Sequence, residues 1–369
     1  MGHNMKKISN LQFILLLMTS VGLKNHVIVI PPLLRVAGRD AWISVLLVLG
    51  STLIWGIIVF YIYKTINGEH IHTWLENTTG KIFKNILLWT VCFYLVIMAG
   101  VTLKETILWT NVSYLLETPM IVVTILFIIP CMLAALTNLR TIIIVNFFFL
   151  MFVILFGFFV AFTNIQFKDY SLLLPILEHG YPRVFKAMVY QGTGMVELIT
   201  ILFLQHQFQS KFRYWHYIII AVILTFLTLG PLIGAIIEFG PTEATAQRYP
   251  AYEEWGLARL GKYVEHVDYL SIYQWLSGAF IRITLFLFIV RGLINAKSKK
   301  TNKWIVVTSS VVIVLFVALP LDEKLFFNLL INIFLPMTFW FLFGVSLLLA
   351  IIAFITRRKQ RGKKNVQTK

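Results

Sequence analysis

A single carboxylate lies in the apolar stretch from Met188 to Leu204, and it is the side chain best placed for chemistry within a membrane. Glu197 follows Gly192, Thr193 and Gly194 within one helical turn. A carboxylate at the centre of a membrane helix costs about 2.5–3.5 kcal/mol, and glycine in a helix costs about 1 kcal/mol relative to alanine. The pattern therefore predicts a helix broken at Gly192-Thr193-Gly194, whose freed backbone groups and Glu197 face an internal cavity.

A second polar interruption lies in the apolar run from Leu11 to Leu34. It contains Gly22, Lys24, Asn25 and His26. Two interrupted helices in the two halves of a membrane protein indicate a small-molecule site between them. Exposed N–H groups at the start of a half-helix suit a carboxylate, and broken helix ends supply both partial charges that an amino acid requires. We therefore expect a ligand site between the two segments.

The charged side chains allow more than one role. Lys24 could balance Glu197 or hold a substrate carboxylate, or it could extend to the surface if its span is shorter. Arg282 likewise has two possible roles, since it could be a counter-charge within the membrane or could extend to the surface. Glu197 and His26 are candidates for proton coupling, because histidine titrates near neutral pH, although His26 could equally be a hydrogen-bonded residue at a helix end. The glycines could instead serve close helix packing.

Further candidates for the lining of the site share helix faces. Residues four apart lie on one face of a helix, and the pairs of this kind are Tyr94 with Met98 and Tyr273 with Ser277. With the residues above, they complete the predicted ligand-binding set, namely Gly22, Lys24, Asn25, Tyr94, Met98, Gln191, Gly192, Thr193, Gly194, Glu197, Tyr273 and Ser277. For Tyr94, Met98, Tyr273 and Ser277, ordinary helix packing is the alternative when each residue is considered alone.

Neither a cofactor nor an enzyme is predicted. The chain has only two cysteines, Cys92 and Cys131, both in apolar runs, where a small buried hydrophobic residue is the simplest interpretation. They form no disulfide framework and no metal motif. No arrangement of nucleophile and base is apparent. The interpretation is a binding protein of the membrane, without a metal or cofactor.

The composition excludes an ordinary soluble domain. Of the 369 residues, 59% are hydrophobic, and the mean hydropathy is +0.82. Because a membrane-crossing helix needs about 20 apolar residues, we predict an all-α integral membrane protein with about ten spans in one polytopic domain, residues 1–369. The spans are 11–34, 41–63, 82–103, 119–136, 141–162, 187–204, 215–237, 267–293, 304–319 and 331–355.

The charge distribution predicts the orientation of these spans. With an even number of spans and both termini in the cytoplasm, most of the 32 lysines and arginines fall on cytoplasmic segments, whereas Glu69 and Glu76 alone of the 16 acidic residues do. This obeys the positive-inside rule. The basic tail, residues 356–369, suits anionic lipid at the cytoplasmic surface better than nucleic acid.

Several short motifs stand in a characteristic order between Ile8 and Ile355. They are AGRDAW at 37–42, ETP at 117–119, LPIL at 174–177, FGPTEA at 239–244, YP at 249–250, and VEHVD at 264–268 leading to Trp275. Each motif is weak alone, but their order and spacing are specific. Together they resemble the B subunit of endospore germinant receptors, the spore germination permease family.

This resemblance implies the fold of the amino acid–polyamine–organocation transporter superfamily. The fold would be a five-plus-five inverted repeat, residues 11–162 and 187–355, with helices one and six broken. It also implies the inner spore membrane, a complex with A-type and C-type receptor subunits, and a germinant, usually an amino acid, as ligand. The chain departs from the family pattern at Lys24-Asn25-His26, where an uncharged glycine-rich break is usual, and in the turn from Ala135 to Arg140.

Three functional hypotheses follow. The first is a germinant-binding receptor subunit, in which Gly22, Gly192, Thr193 and Gly194 contact the ligand through their backbone. The alternative is a proton-coupled amino-acid transporter of the same superfamily, with Glu197 or His26 carrying the proton, and fold analogy does not decide between the two. The third is a membrane scaffold that binds only its sister subunits.

Overall fold

The computed structural model describes residues 8–259 and 266–367, and these residues are almost entirely helical. Apart from an isolated bridge between Ile8 and Phe208, no β-structure occurs in these two ranges. The helices are α1 Asn10–Leu23, α2 Ile30–Ala37, α3 Ala41–Ile66, α4 Ile71–Thr79, α5 Lys81–Ser113, α6 Met120–Ala135, α7 Leu139–Thr163, α8 Tyr181–Met195, α9 Thr200–Leu204, α10 Tyr214–Phe239, α11 Pro241–Ala246, α12 Pro250–Leu257, α13 Leu270–Ile294, α14 Lys299–Val317, α15 Glu323–Leu329 and α16 Leu335–Gln367.

Every predicted span falls on helix, and the all-α membrane architecture is confirmed. In the part of the chain that the structure describes, eight helical stretches are long and apolar enough to cross a membrane. One of them, Asn10–Ile66, contains the first two predicted spans, and α6 is an apolar helix shorter than the other spans. The inverted repeat stays a prediction. Helix α16 continues into the predicted basic tail as far as Gln367, and residues 260–265 and 368–369, including the start of the VEHVD motif, lie outside the described ranges.

The first span is interrupted by a turn of π-helix at Lys24–Ile28. In this turn the N–H of Val29 donates to the carbonyl of Lys24 at 3.1 Å, one residue further along than in an α-helix. Pro31 and Pro32 follow at the start of α2. Because prolines have no N–H and their rings crowd the carbonyls four residues earlier, they disfavour a regular α-helix through this point. The irregular turn is the local consequence.

The sixth span is interrupted at a different place from the predicted one. The chain is α-helical through Gly192, Thr193 and Gly194, and α8 ends only at Met195. A 3₁₀-turn at Val196–Ile199 then leads into α9, and Glu197 lies in that turn. The prediction of a break at the glycines was therefore wrong in position. The glycines instead allow close packing, Gly194 against the first span and Gly192 against α16.

Helix α13 lies at the centre of the bundle and packs against α1, α5, α6, α7 and α14. Its side chains from Ile281 to Val290 are buried without exception. The sixth span is the most enclosed of all, with 89% of its apolar window buried. In contrast, α7 exposes a row of phenylalanines such as Phe147, Phe148 and Phe158, as expected of a helix that faces lipid. The irregular turns of the first and sixth spans therefore lie inside the protein.

Candidate ligand site

Three charged side chains from three helical segments meet in the interior. Glu197 accepts from Lys24 Nζ at 2.9 Å through Oε1. The same carboxylate accepts from Arg282 twice, at 2.6 Å through Oε2 and at 2.7 Å through Oε1. Lys24 and Arg282 are 0% exposed, and Glu197 is 1% exposed. We call Lys24, Glu197 and Arg282 the ion triad. Lys24 and Arg282 are thus counter-charges of Glu197, and neither extends to the surface.

Arg282 on α13 is held from several sides. Its Nε donates to Thr102 Oγ1 at 3.0 Å, and its Nη1 donates to the Ser20 carbonyl at 2.9 Å in addition to Glu197. The ring of Phe286 stacks 4.5 Å from the guanidinium carbon. Bidentate pairing to a carboxylate is the strong geometry for arginine. These contacts fix the guanidinium against α1, α5 and the 3₁₀-turn at the same time.

Lys24 bridges the two irregular turns. Its ammonium donates to the carbonyl of Thr193 at 3.3 Å as well as to Glu197. The π-turn that carries Lys24 therefore faces the end of α8 and the 3₁₀-turn that carries Glu197. The structure brings together the two interrupted segments as the sequence predicted, although the contact consists of side chains on intact hydrogen-bonded turns rather than broken helix ends.

Gly194 is the point of closest approach between the first and sixth spans. A Cβ atom built on Gly194 would lie 1.6 Å from Asn25 Oδ1, a distance that no side chain could tolerate. Asn25 is fully buried, and its Nδ2 reaches the Leu224 carbonyl at 3.5 Å. The glycine thus serves small-residue packing, the alternative given above, and it does so at the ion triad itself. Gly22 and Gly192 have the same character, because their Cβ positions face Leu227 and Phe339.

His26 makes a backbone contact that its sequence context explains. Its Nδ1 lies 3.0 Å from the carbonyl of Leu227. Leu227 is four residues before Pro231 inside α10, and a proline leaves that carbonyl without its helical donor. The histidine therefore supplies the hydrogen bond that the proline removes. This geometry favours the structural interpretation of His26 over proton coupling.

We expect the substitutions His26→Leu and Pro231→Ala to be strongly coupled. His26→Leu alone leaves a buried carbonyl without a donor and should cost about 1–3 kcal/mol of stability. In a Pro231→Ala background, the new N–H can bond to Leu227, so the same substitution should cost less by about 1 kcal/mol or more. Unfolding of the purified protein in detergent measures the cycle. His179→Leu, at an exposed position, is the control. If the stability losses of His26→Leu and Pro231→Ala simply added in the double variant, the hydrogen bond from His26 to Leu227 would not have the proposed role.

Polar atoms without partners surround the triad. Three such buried atoms are Ser20 Oγ, Asn25 Oδ1 and Gln191 Oε1, and none has a hydrogen-bond partner among the described residues. The Ser20 carbonyl binds Arg282, Asn25 follows Lys24, and the Tyr94 hydroxyl lies within hydrogen-bonding reach of Glu197 and Thr338. Buried polar groups are normally hydrogen-bonded. The three unpartnered oxygen atoms could therefore accept hydrogen bonds from a polar ligand or from water.

Gln191 joins this group through a chain of hydrogen bonds. Its Nε2 donates to Thr228 Oγ1 at 3.1 Å, and Thr228 donates to the Leu224 carbonyl at 3.1 Å. Asn25 donates to the same carbonyl from the other side. Helix α10 therefore connects the two amides, whose oxygen atoms remain available.

The candidates on α5 and α13 divide into two groups. Met98 lies one turn from Tyr94 and accepts a hydrogen bond from Thr338. It is on the same face of α5 as Thr102, which accepts a hydrogen bond from Arg282. Tyr273 lies elsewhere: its ring packs edge-on against Phe149, Phe152 and Phe156 of α7. Ser277 Oγ donates to the Tyr273 carbonyl within its own helix. The structure does not bring these two residues to the triad.

Three polar residues of the site were not predicted, namely Ser20, Thr102 and Thr228. Thr102 binds Arg282 and Thr228 binds Gln191. Continuing the spacing from Tyr94 to Met98 by another four residues leads to Thr102, so the helical period could have identified it. Thr228 lies on a third helix, and no sequence pattern links it to Gln191.

A second charged cluster closes one end of the bundle. Arg248, between α11 and α12, donates to Glu105 of α5 at 2.6 Å and lies 3.5 Å from Glu323 of α15. Its guanidinium also stacks on Phe327 at 3.9 Å. Two carboxylates therefore face one arginine here, and these contacts tie the α11–α12 segment to the core.

A further buried carboxyl group belongs to α12 itself. Glu254 packs against Gly234 of α10, and its Oε1 has no hydrogen-bond partner in the described ranges. Burial raises the pKa of Glu254 well above its usual range, and the nearby Glu238 carboxylate raises it further.

These features define a multi-pass helical membrane protein whose interior holds an ion triad on irregular helix turns. The chain belongs to the spore germination permease family, because the family model described as "Spore germination protein" matches residues 7–324. It is also 42% identical over 351 residues to "Spore germination protein XB" of Bacillus anthracis, with 95% of this chain and 99% of the relative covered. It is therefore a germination-associated membrane protein.

Proposed function

We propose that the chain is the germinant-binding B-type subunit of a spore germination receptor, with an amino acid or a related small molecule as germinant. The ligand binds between the first and sixth spans, beside Lys24 and Glu197. The protein lies in the inner spore membrane with both termini in the cytoplasm, and it signals to A-type and C-type partner subunits. The motif order and the relationship to the Bacillus anthracis protein support the B-type assignment.

One observation carries the ligand-binding proposal. Three buried polar atoms without partners, Ser20 Oγ, Asn25 Oδ1 and Gln191 Oε1, lie on α1, the π-turn and α8, and these segments adjoin the ion triad. The interior of a membrane protein tolerates charged and unsatisfied polar groups mainly where they serve a function. A small polar ligand with several hydrogen-bonding groups would satisfy these atoms together.

The same geometry supports a route from binding to signalling. Glu197 joins the π-turn, the 3₁₀-turn and α13 through its two cationic partners. A ligand that competes for Lys24 or Arg282 would weaken these connections and favour a different arrangement of the helices. It can shift the population of the two arrangements only by its difference in affinity for them. The partner subunits would respond to the shifted population.

Sealed proteoliposomes test this function against transport. Labelled amino acids are followed over time with the purified full-length protein, with and without an inward proton gradient. We expect saturable binding in proportion to the protein and no accumulation. Accumulation beyond that stoichiometry, which collapses with the gradient, would overturn the receptor proposal and establish a proton-coupled transporter. Liposomes without protein supply the baseline.

A further inference from the structure

The ion triad carries an unbalanced positive charge. Lys24 and Arg282 are cationic, and Glu197 is the carboxylate between them. All three are within 1% of complete burial. The centre of the bundle therefore holds one positive charge more than its own residues compensate.

An isolated charge is costly in a medium of low polarity. The penalty for each buried ion is large unless a counter-charge and hydrogen bonds offset it. The positive surplus at the triad thus makes it a place where an additional anion is stabilised. It also gives a net neutral ligand no means of removing the surplus.

Hydrogen-bond donors remain available on both cations. Arg282 uses Nε, both N–H groups of Nη1 and one of Nη2, so that one of its five N–H groups has no partner among the described residues. Lys24 uses two of its three ammonium protons. The unpartnered Asn25 and Gln191 oxygens are acceptors. The site therefore offers cationic donors for a carboxylate and amide oxygens for an N–H or O–H group.

We propose that the site selects a small organic acid of net charge −1 that also carries an N–H or O–H donor, in preference to a net neutral amino acid. This rests on the proposed function, in that the triad adjoins the germinant site. Acidic amino acids and hydroxy acids share this chemistry. Lys24 is the specificity-determining residue, because its replacement by a neutral side chain makes the triad electrically neutral.

Two pairs of compounds of similar shape test the selection. Glutamate and glutamine differ in net charge, as do lactate and alanine. Binding to the full-length protein in nanodiscs is measured for all four at fixed salt. We expect the anionic member of the pair that binds to be favoured by about tenfold or more, since one extra charge interaction in a protein interior is large. The pair that shows this identifies the class as amino acid or hydroxy acid.

Substitutions of Lys24 then assign the cause. Lys24→Met should abolish the preference within the pair, and Lys24→Arg, which retains the charge, should keep it. Equal affinities for the two members, or an unchanged preference in a folded Lys24→Met protein, would overturn the charge proposal. If a neutral amino acid binds with no such preference and Gly194→Leu removes that binding, the germinant site stands and the charge proposal fails. If neither the common amino acids nor lactate bind the folded protein, both proposals are overturned.

Discussion

Replacing Glu197 by glutamine is expected to cost about 3–5 kcal/mol of stability or more, since removing one partner of a buried ion pair leaves an uncompensated charge. Here, two cations, Lys24 and Arg282, depend on the one carboxylate. A typical protein has only about 5–15 kcal/mol of stability in total. The purified variant should therefore unfold at a much lower temperature than the native protein, or fail to accumulate in the membrane. Thermal unfolding in detergent, followed by size-exclusion chromatography, measures the effect.

The order of the variants is the decisive part of this prediction. Lys24→Met leaves the bidentate pair of Arg282 and Glu197 intact and neutral, so it should cost less than Glu197→Gln. Glu117→Gln, at an exposed position, is the matched control and should have an effect within about 0.5 kcal/mol of zero. A Glu197→Gln protein as stable as this control would contradict the interpretation of the triad as an ionised cluster.

Gly194→Ala is expected to reduce germinant affinity by about tenfold or more and to cost about 1–3 kcal/mol of stability, because it overpacks a tight contact. The new methyl group would lie 1.6 Å from Asn25 Oδ1, so Asn25 has to rotate and the π-turn has to move away from α8. Both the charged contact of Lys24 with Glu197 and the hydrogen bond of Asn25 start from that turn. Ligand binding by the purified protein and germination of spores that carry the variant are the two measurements.

The control is Gly344→Ala in α16. No atom lies within 4 Å of a Cβ at Gly344, and alanine favours a helix by about 1 kcal/mol over glycine. Binding should be unchanged in this variant. If Gly194→Leu, a larger change at the critical site, left every germinant response intact, the chain would have to be a scaffold for its sister subunits rather than the ligand-binding subunit.

The fold was predictable because its main determinant, the length of apolar segments, is local in sequence. The positions of the spans follow from hydropathy, and the first and sixth were singled out by Lys24 and Glu197. An ion pair between Lys24 and Glu197 is one of the alternatives that the sequence allows, and it is the one that the structure shows. The alternative in which Lys24 extends to the surface was plausible in sequence terms, since a long apolar run does not reveal where the surrounding helices enclose it.

Other parts of the site depend on contacts between distant segments. The partner of His26 is a carbonyl 201 residues away, and its availability follows from Pro231 rather than from any residue near His26. The place of the interruption in the sixth span was missed because glycine weakens a helix on average, whereas here the helix continues and the glycine accommodates Asn25. Tyr273 and Ser277 share a face of α13, as the spacing predicts. Which neighbour this face meets depends on the packing of the helices, and the Tyr273 ring packs against α7 rather than towards the triad.

The π-turn at Lys24–Ile28 also affects how site residues can be compared between relatives. Successive residues of an α-helix are rotated by about 100°, and a π-turn accommodates one extra residue within the helix. A chain that lacks one residue in this turn would therefore present a different face of α1 to Glu197 and Arg282. The side chain aligned with Lys24 would then point to other neighbours. Whether a residue of a relative is equivalent to Lys24 must therefore be judged by the direction in which the helix presents it, as well as by its place in a sequence alignment.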